Sequence, residues 1–101
     1  MRCMEAKILA ITAILQVALS SASRAEDYIC DNGTRLTAIF TTAENGLGAV
    51  ELTLLGSNEQ IALPQVLSAD GGRYAAGVTE FWIRGSQATL RRGSEMTTCK
   101  R

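Results

Sequence analysis

The chain reads as all-β, a small antiparallel barrel or sandwich, and three observations carry that reading. Apolar and polar residues alternate with a period of two through several short segments, and no helical repeat follows residue 25. Turn-forming residues cut those segments at short intervals: Asn45-Gly46 with Gly48, Gly56-Ser57-Asn58-Glu59, Asp70-Gly71-Gly72 and Gly85-Ser86. Two cysteines, Cys30 and Cys99, stand near the two ends of the same region, where a covalent bridge would staple a core too small to hold on its own.

The first 25 residues are set apart as a secretory signal. Arg2 and Lys7 give a basic start, Ile8 to Leu19 is an apolar run broken by Thr12 and Gln16, and Ser23-Arg24-Ala25 places small residues where a signal peptidase reads. The run is short for a bilayer span and no second one follows, so stable membrane insertion is not expected. A lipoprotein signal needs a cysteine just after the apolar run, whereas Cys3 precedes it. Cleavage after Ala25 leaves residues 26–101, one domain of 76 residues (101 − 25).

Within that domain, Leu36, Ala38 and Phe40 alternate with Arg35, Thr37, Ile39 and Thr41 as a strand, and Val50, Leu52 and Leu54 make the next. The Asn45-Gly46 turn between them predicts a hairpin. Ile61, Leu63 and Val66 continue, with Pro64 confining that strand to an edge or a bulge because proline cannot donate to a ladder. Tyr74–Val78, Thr79–Arg84, Ala88–Arg91 and Met96–Cys99 supply the remaining short strands. Phe81 and Trp82, being adjacent in a strand, face opposite sides, so one is core and the other outward or beneath a neighbouring loop.

Composition removes several function classes. The leader carries away Cys3, leaving Cys30 and Cys99 to form one disulfide in an oxidising compartment. The chain-entropy model values a bridge over a loop of that length at about 4 kcal/mol. With no histidine and two committed thiols, no metal site and no cofactor are expected. Losing Arg2, Lys7, Arg24 and Glu5 leaves seven basic against nine acidic side chains, which is no footprint for nucleic acid; Arg91-Arg92 and Lys100-Arg101 read as solvated strand ends. The glycines match no phosphate-binding loop. Enzymatic chemistry is not expected either: Asp70 and Glu80 are the best carboxylate pair for acid/base work, and they read as a loop tip and a solvated strand position.

The stretch Ser68–Gly85 is the candidate recognition element. Asp70-Gly71-Gly72 can adopt positive φ and present backbone amides, and Tyr74, Phe81, Trp82 and Arg84 are residue types that dominate binding energy at compact interfaces. Tyr74 opens a strand, so its ring is also placed to pack under the loop and shape its tip.

These residues resemble the periplasmic and membrane-bound inhibitors of C-type lysozyme. That family carries a loop written SGxxY running into YxxxxxxFWxKG with the tyrosine shared. Here Asp70-Gly71-Gly72-Arg73-Tyr74 fills the first pattern with aspartate for serine, and Tyr74 through Phe81-Trp82-Ile83-Arg84-Gly85 fills the second with arginine for lysine. Tyr28-Ile29-Cys30-Asp31-Asn32-Gly33 is similar to the family's opening YxCxxG, Ala88-Thr89-Leu90 to its following strand, and Cys99 to its closing cysteine. The resemblance implies an eight-stranded antiparallel barrel closed by the Cys30–Cys99 disulfide, located in the periplasm, that inhibits a C-type lysozyme by occluding its cleft. It implies contact through Ser68, Asp70, Gly71, Gly72, Tyr74 and Arg84, with Arg73, Phe81, Trp82 and Gly85 as loop support. The alternative is a secreted, non-inhibitory binding or adhesion module on the same barrel; the oligomeric state is left open.

Overall fold

The computed structural model describes residues 22–42 and 47–101, and these form eight strands in a closed, all-antiparallel, up-and-down barrel. In chain order they are β1 (Ala22–Cys30), β2 (Arg35–Thr42), β3 (Gly48–Leu54), β4 (Glu59–Val66), β5 (Gly72–Ala76), β6 (Thr79–Arg84), β7 (Gln87–Arg92) and β8 (Glu95–Lys100). The all-β barrel is thus as expected. The bulk of the leader, residues 1–21, and the Asn45-Gly46 turn lie outside the described residues.

The register divides the barrel into two four-stranded meanders. Long ladders join β1 through β4 and β5 through β8, whereas the two seams between the halves are short. One seam, β4 to β5, consists of Gln65↔Tyr74 and Val66↔Arg73; the other, β1 to β8, consists of Ile29↔Lys100 and Cys30↔Cys99. The second seam is closed covalently, because Cys30 and Cys99 lie opposite each other and are disulfide-bonded. Ion pairs cross between the halves as well: Arg92 Nη2 to Glu59 Oε2 at 2.7 Å, and Arg101 Nη1 to Glu26 Oε1 at 3.8 Å.

Period-two alternation builds the interior. Leu36, Ala38 and Phe40 from β2, Val50, Leu52 and Leu54 from β3, and Ala88 and Leu90 from β7 point inward and are buried, with Tyr28, Leu63 and Phe81 filling the rest. Two aromatic pairs span the meanders inside. Tyr28 and Phe81 meet edge to face with centroids 5.3 Å apart, and Phe40 and Tyr74 meet at 5.7 Å.

Some strand limits differ from those read in the sequence, and two positions show how the barrel accommodates its neighbours. Residues 22–25, assigned to the leader, run here as the start of β1 and pair with Ile39–Thr42, and Arg24 sits 5.3 Å above the Phe40 ring. β5 begins at Gly72 rather than Tyr74 and ends at Ala76, because Gly77 at φ +60° leaves the extended region and makes Gly77-Val78 the turn. Pro64 pairs with Ala49 on its β3 side and stands where β4 has no β5 partner, so its missing N–H costs no ladder bond across the seam.

Candidate functional site

The loop joining β4 to β5, residues 67–71, leaves the barrel rim beside the unstapled seam, and the end of β6 stands next to it. Its shape is fixed from within. The Ser68 hydroxyl donates to the Asp70 carbonyl (2.6 Å) and accepts from the Asp70 amide (3.2 Å), so Ser68 closes the loop on itself. The Asp70 carbonyl takes a second hydrogen bond from Trp82 Nε1 at 2.8 Å, which ties the loop to β6. Gly71 holds φ +70° with its Cα pressed on the β6 backbone: a Cβ there would land on the Ile83 carbonyl oxygen and lie 3.1 Å from its carbon. Only glycine fits.

Arg84, the last residue of β6, lies beside this loop. Its guanidinium carbon sits 4.1 Å from the Trp82 ring centroid, and its Nε is 3.8 Å from Asp70 Oδ2. Among the described residues its guanidinium donates no hydrogen bond at ordinary distance, and its side chain remains 57% exposed, with that of Asp70 77% exposed. The tip therefore presents an exposed cation held on an aromatic platform, with an anion alongside.

Trp82 and Phe81 divide the strand's two faces. Phe81 is wholly buried in the core, whereas Trp82 lies on the outer face between two arginines, Arg84 and Arg73, the latter 5.4 Å from its ring centroid. Arg73 also pairs with Glu80, as does Arg91 Nε at 3.5 Å. Glu80 is only 9% exposed, which corrects its reading as a solvated position: Arg91 lies directly opposite it in the ladder, Arg73 reaches it along the same outer face, and the two cover it. The hydrogen bond from Arg73, against some cost of burial, holds the Glu80 carboxyl below the usual carboxylate range. Arg91 and Arg92 are likewise not free strand ends, since Arg92 is spent on Glu59. Arg101 is tied down too, with its amide on the Ser86 carbonyl at 3.1 Å and Nη2 on the Gly85 carbonyl at 3.3 Å.

Tyr74 faces the barrel mouth. Its ring lies against Gly72 and Phe40, and burial pushes its hydroxyl above the ordinary tyrosine value, so it stays neutral at physiological pH. The mouth itself is an open hollow lined by Arg24, Phe40, Thr42, Gly72, Tyr74 and Ile83. Gly85, at φ +64°, makes the β6–β7 turn that ends the strand just after Arg84.

The structure thus brings Ser68, Asp70, Gly71, Trp82 and Arg84 into one unit, places Gly72 and Tyr74 at its inner edge, and sends Arg73 down the outer face to Glu80. Sequence reasoning missed the Glu80 clamp and the Arg24–Phe40 contact. The first was visible only through strand register, and the second was hidden by assigning Arg24 to the leader. Among the described residues there is no group of histidine, cysteine, aspartate and glutamate suited to a metal ion, and no helix long and apolar enough to cross a membrane.

A stapled β-barrel that offers one polar, internally braced loop and a stacked cation is a scaffold suited to protein recognition. Residues 28–98 match the family model described as membrane-bound lysozyme-inhibitor of c-type lysozyme, and the chain belongs to that family. It is 35% identical over 69 residues to the membrane-bound lysozyme inhibitor of C-type lysozyme of Pseudomonas aeruginosa, and 32% identical over 68 residues to that of Cupriavidus necator. Each match covers 67% of this chain and 52% of the relative, so the matched region spans about half the length of these curated relatives. Among solved structures, the barrel is similar to Pseudomonas aeruginosa MliC crystallised in complex with hen egg white lysozyme, with a TM-score of 0.67, 26% sequence identity, and coverage of 97% of this chain and 100% of that one.

Proposed function

We propose that this protein is an inhibitor of a C-type lysozyme that works by binding, with no chemistry of its own, and that the Ser68–Tyr74 loop and Arg84 enter the lysozyme cleft. The observation that carries the proposal is the setting of Arg84: stacked on Trp82, with Asp70 3.8 Å from its Nε, and more than half exposed beside the loop. C-type lysozymes hydrolyse with two carboxyl groups, one kept protonated in an apolar pocket and one ionised. A guanidinium offers an ionised carboxylate two parallel hydrogen bonds, and one already stacked and oriented loses little freedom on binding.

Asp70 sets the balance. Brought near an ionised carboxylate it repels, yet its pairing with Arg84 spreads that charge within the loop, and the Gly71 and Gly72 backbone, with Ser68 and Tyr74, completes the contact. Arg73, Phe81, Trp82 and Gly85 act from behind by fixing the platform. The same Asp70–Arg84 pair is the one observation that favours the second reading, a non-inhibitory envelope module, because it satisfies the cation internally. We place the protein in the cell envelope, secreted by a cleaved leader, in keeping with its disulfide and its family.

Hydrolysis of cell-wall substrate by a C-type lysozyme, with and without the purified protein, separates the readings. Inhibition that falls by tenfold or more for Arg84→Ala supports the proposal, on a scale of about 1.4 kcal/mol per tenfold. Full lysozyme activity at micromolar wild-type protein overturns it.

A further inference from the structure

We propose that the open edge of β1 pairs with the same edge of a second copy of this chain, so that two barrels share one sheet; the inference does not depend on the inhibitor reading. β8 reaches β1 only at Ile29 and Cys30, so Ala22–Tyr28 has β2 on one side and, among the described residues, no strand on the other. Backbone groups face that open side. Cys30 sends its amide to the carbonyl of Thr34, which leads into β2, and Asp31 sends its amide to the carbonyl of Thr98 in β8. Alternation along the strand then turns the N–H and C=O groups of Ser23, Ala25 and Asp27 toward the open side. A strand edge of this kind is a template for another strand.

Symmetry and charge select the register. Two antiparallel copies of one edge are related by a two-fold axis normal to the sheet, so every residue opposes one from the same face of the strand. Arg24 and Glu26 share the face of the buried Tyr28, and Ser23, Ala25 and Asp27 share the other. A pairing centred on Arg24, Glu26 or Asp27 sets like charges directly opposite, and one centred on Ser23 leaves little of the edge paired. Centred on Ala25, it sets Arg24 opposite Glu26 of the second copy, and does so twice. The outward-turned backbone groups then pair Ala25 with Ala25 of the second copy, and Ser23 with Asp27 of the second copy. Arg24 and Glu26 fall at the positions without hydrogen bonds, where opposed side chains come closest.

Charges on an edge ordinarily repel passing strands, so the side chains that admit a second copy also turn away unrelated ones. Arg24 is free to change partners: its side chain is 70% exposed, and its contact with Glu26 of its own strand, at 3.4 Å, is a surface ion pair of little worth. Carrying the β1–β8 register one step past Ile29↔Lys100 sets Arg101 level with Tyr28, which confines the pairing to Ser23–Asp27. The surface therefore needs a mature chain that keeps residues 23–25. Ser20-Ser21-Ala22 offers a signal peptidase the same small residues as Ser23-Arg24-Ala25, and cleavage there leaves Ser23 first. The recognition loop springs from the opposite seam, between β4 and β5, so each barrel of the dimer carries its loop four strands away from the shared edge.

The test is sedimentation velocity over micromolar to millimolar concentrations, on protein exported through its own leader, with the N-terminus read by mass spectrometry. The expected N-terminus is Ser23, with a dimer fraction that rises with concentration. Arg24→Glu and Glu26→Arg are each expected to weaken self-association about tenfold or more, because each sets like charges opposite at both places. An equimolar mixture of these two variants is expected to dimerise again, since the charges of one then oppose those of the other; no purely structural role for either residue predicts that recovery. Ala25→Pro removes a single N–H on the open side and spares the β1–β2 ladder, so it is expected to give a folded monomer by circular dichroism. A wild type that stays monomeric, or an exported chain that begins at Glu26, overturns the proposal. So does a mixture of the charge variants that remains monomeric, or an Ala25→Pro protein that dimerises like the wild type.

Discussion

Replacing Gly71 with alanine tests how rigidly the loop is built. Two costs add at this position. Alanine at φ +70° sits in the left-handed region, at about 1–2 kcal/mol. The new Cβ would fall more than about 1 Å inside the ~3.3 Å at which carbon and a carbonyl oxygen ordinarily meet, and the clash is with the Ile83 backbone, which has no side-chain torsion to turn away. Overpacking of that kind costs roughly 1–3 kcal/mol when the surroundings hold. A loss of about 2–4 kcal/mol is therefore expected if the loop stays seated. If it lifts off β6 instead, the stability loss is smaller, but the Trp82 Nε1 bond to the Asp70 carbonyl breaks and Arg84 loses its neighbour. Denaturant melts followed by the fluorescence of Trp82, the chain's one tryptophan, give the first quantity, and lysozyme inhibition gives the second. A Gly71→Ala protein with wild-type stability and wild-type inhibition would refute the close packing of loop on strand.

Two further outcomes follow from the charges around this loop. Glu80 has its carboxyl pKa lowered in the folded state, so it stabilises the fold above its unfolded value of about 4.3 and that contribution fades as pH falls through the lower folded value. Glu80→Gln should accordingly be less stable than wild type at pH 7 by about 2–4 kcal/mol, and should lose less of its remaining stability on acidification from about pH 5 to pH 3; parallel pH profiles for the two proteins would contradict the clamp. Asp70 holds the loop through its backbone carbonyl and amide, while its carboxylate is exposed beside Arg84. Asp70→Ser should thus keep the fold and tighten lysozyme binding several-fold, most at low salt, and weaker binding by a correctly folded Asp70→Ser protein would show that the carboxylate helps rather than hinders.

How far the sequence revealed this arrangement depends on whether each feature was local. The strands of β2, β3 and β7 were legible because Leu36-Ala38-Phe40, Val50-Leu52-Leu54 and Ala88-Leu90 alternate cleanly with polar residues, and the disulfide because only two cysteines remained to pair. The loop was legible from its glycines and from the motif that resembles the family. The Glu80 clamp was not, because Arg73, Glu80 and Arg91 come from three strands and meet only once register is set. The choice between Phe81 and Trp82 needed the same information: alternation says they oppose each other, and only the closed barrel says which is inside. The Arg24–Phe40 contact was not legible either, because residues 22–25 read as the end of a leader and only the ladder sets them against Ile39–Thr42.

The split into two meanders gives the loop its setting. The stapled seam at Cys30–Cys99 fixes one side of the barrel, while the other seam rests on two residue pairs, and the recognition loop springs from that second seam. Trp82, Gly71 and Ser68 brace the tip locally beside a seam that has only two residue pairs and no covalent staple.

The most direct test is a crystal structure of this protein bound to a C-type lysozyme. The Ser68–Tyr74 loop is expected inside the cleft, with an Arg84 terminal nitrogen within about 3 Å of a catalytic carboxylate oxygen. A complex in which the cleft is open and Arg84 faces solvent, still paired only with Asp70, would contradict the mechanism.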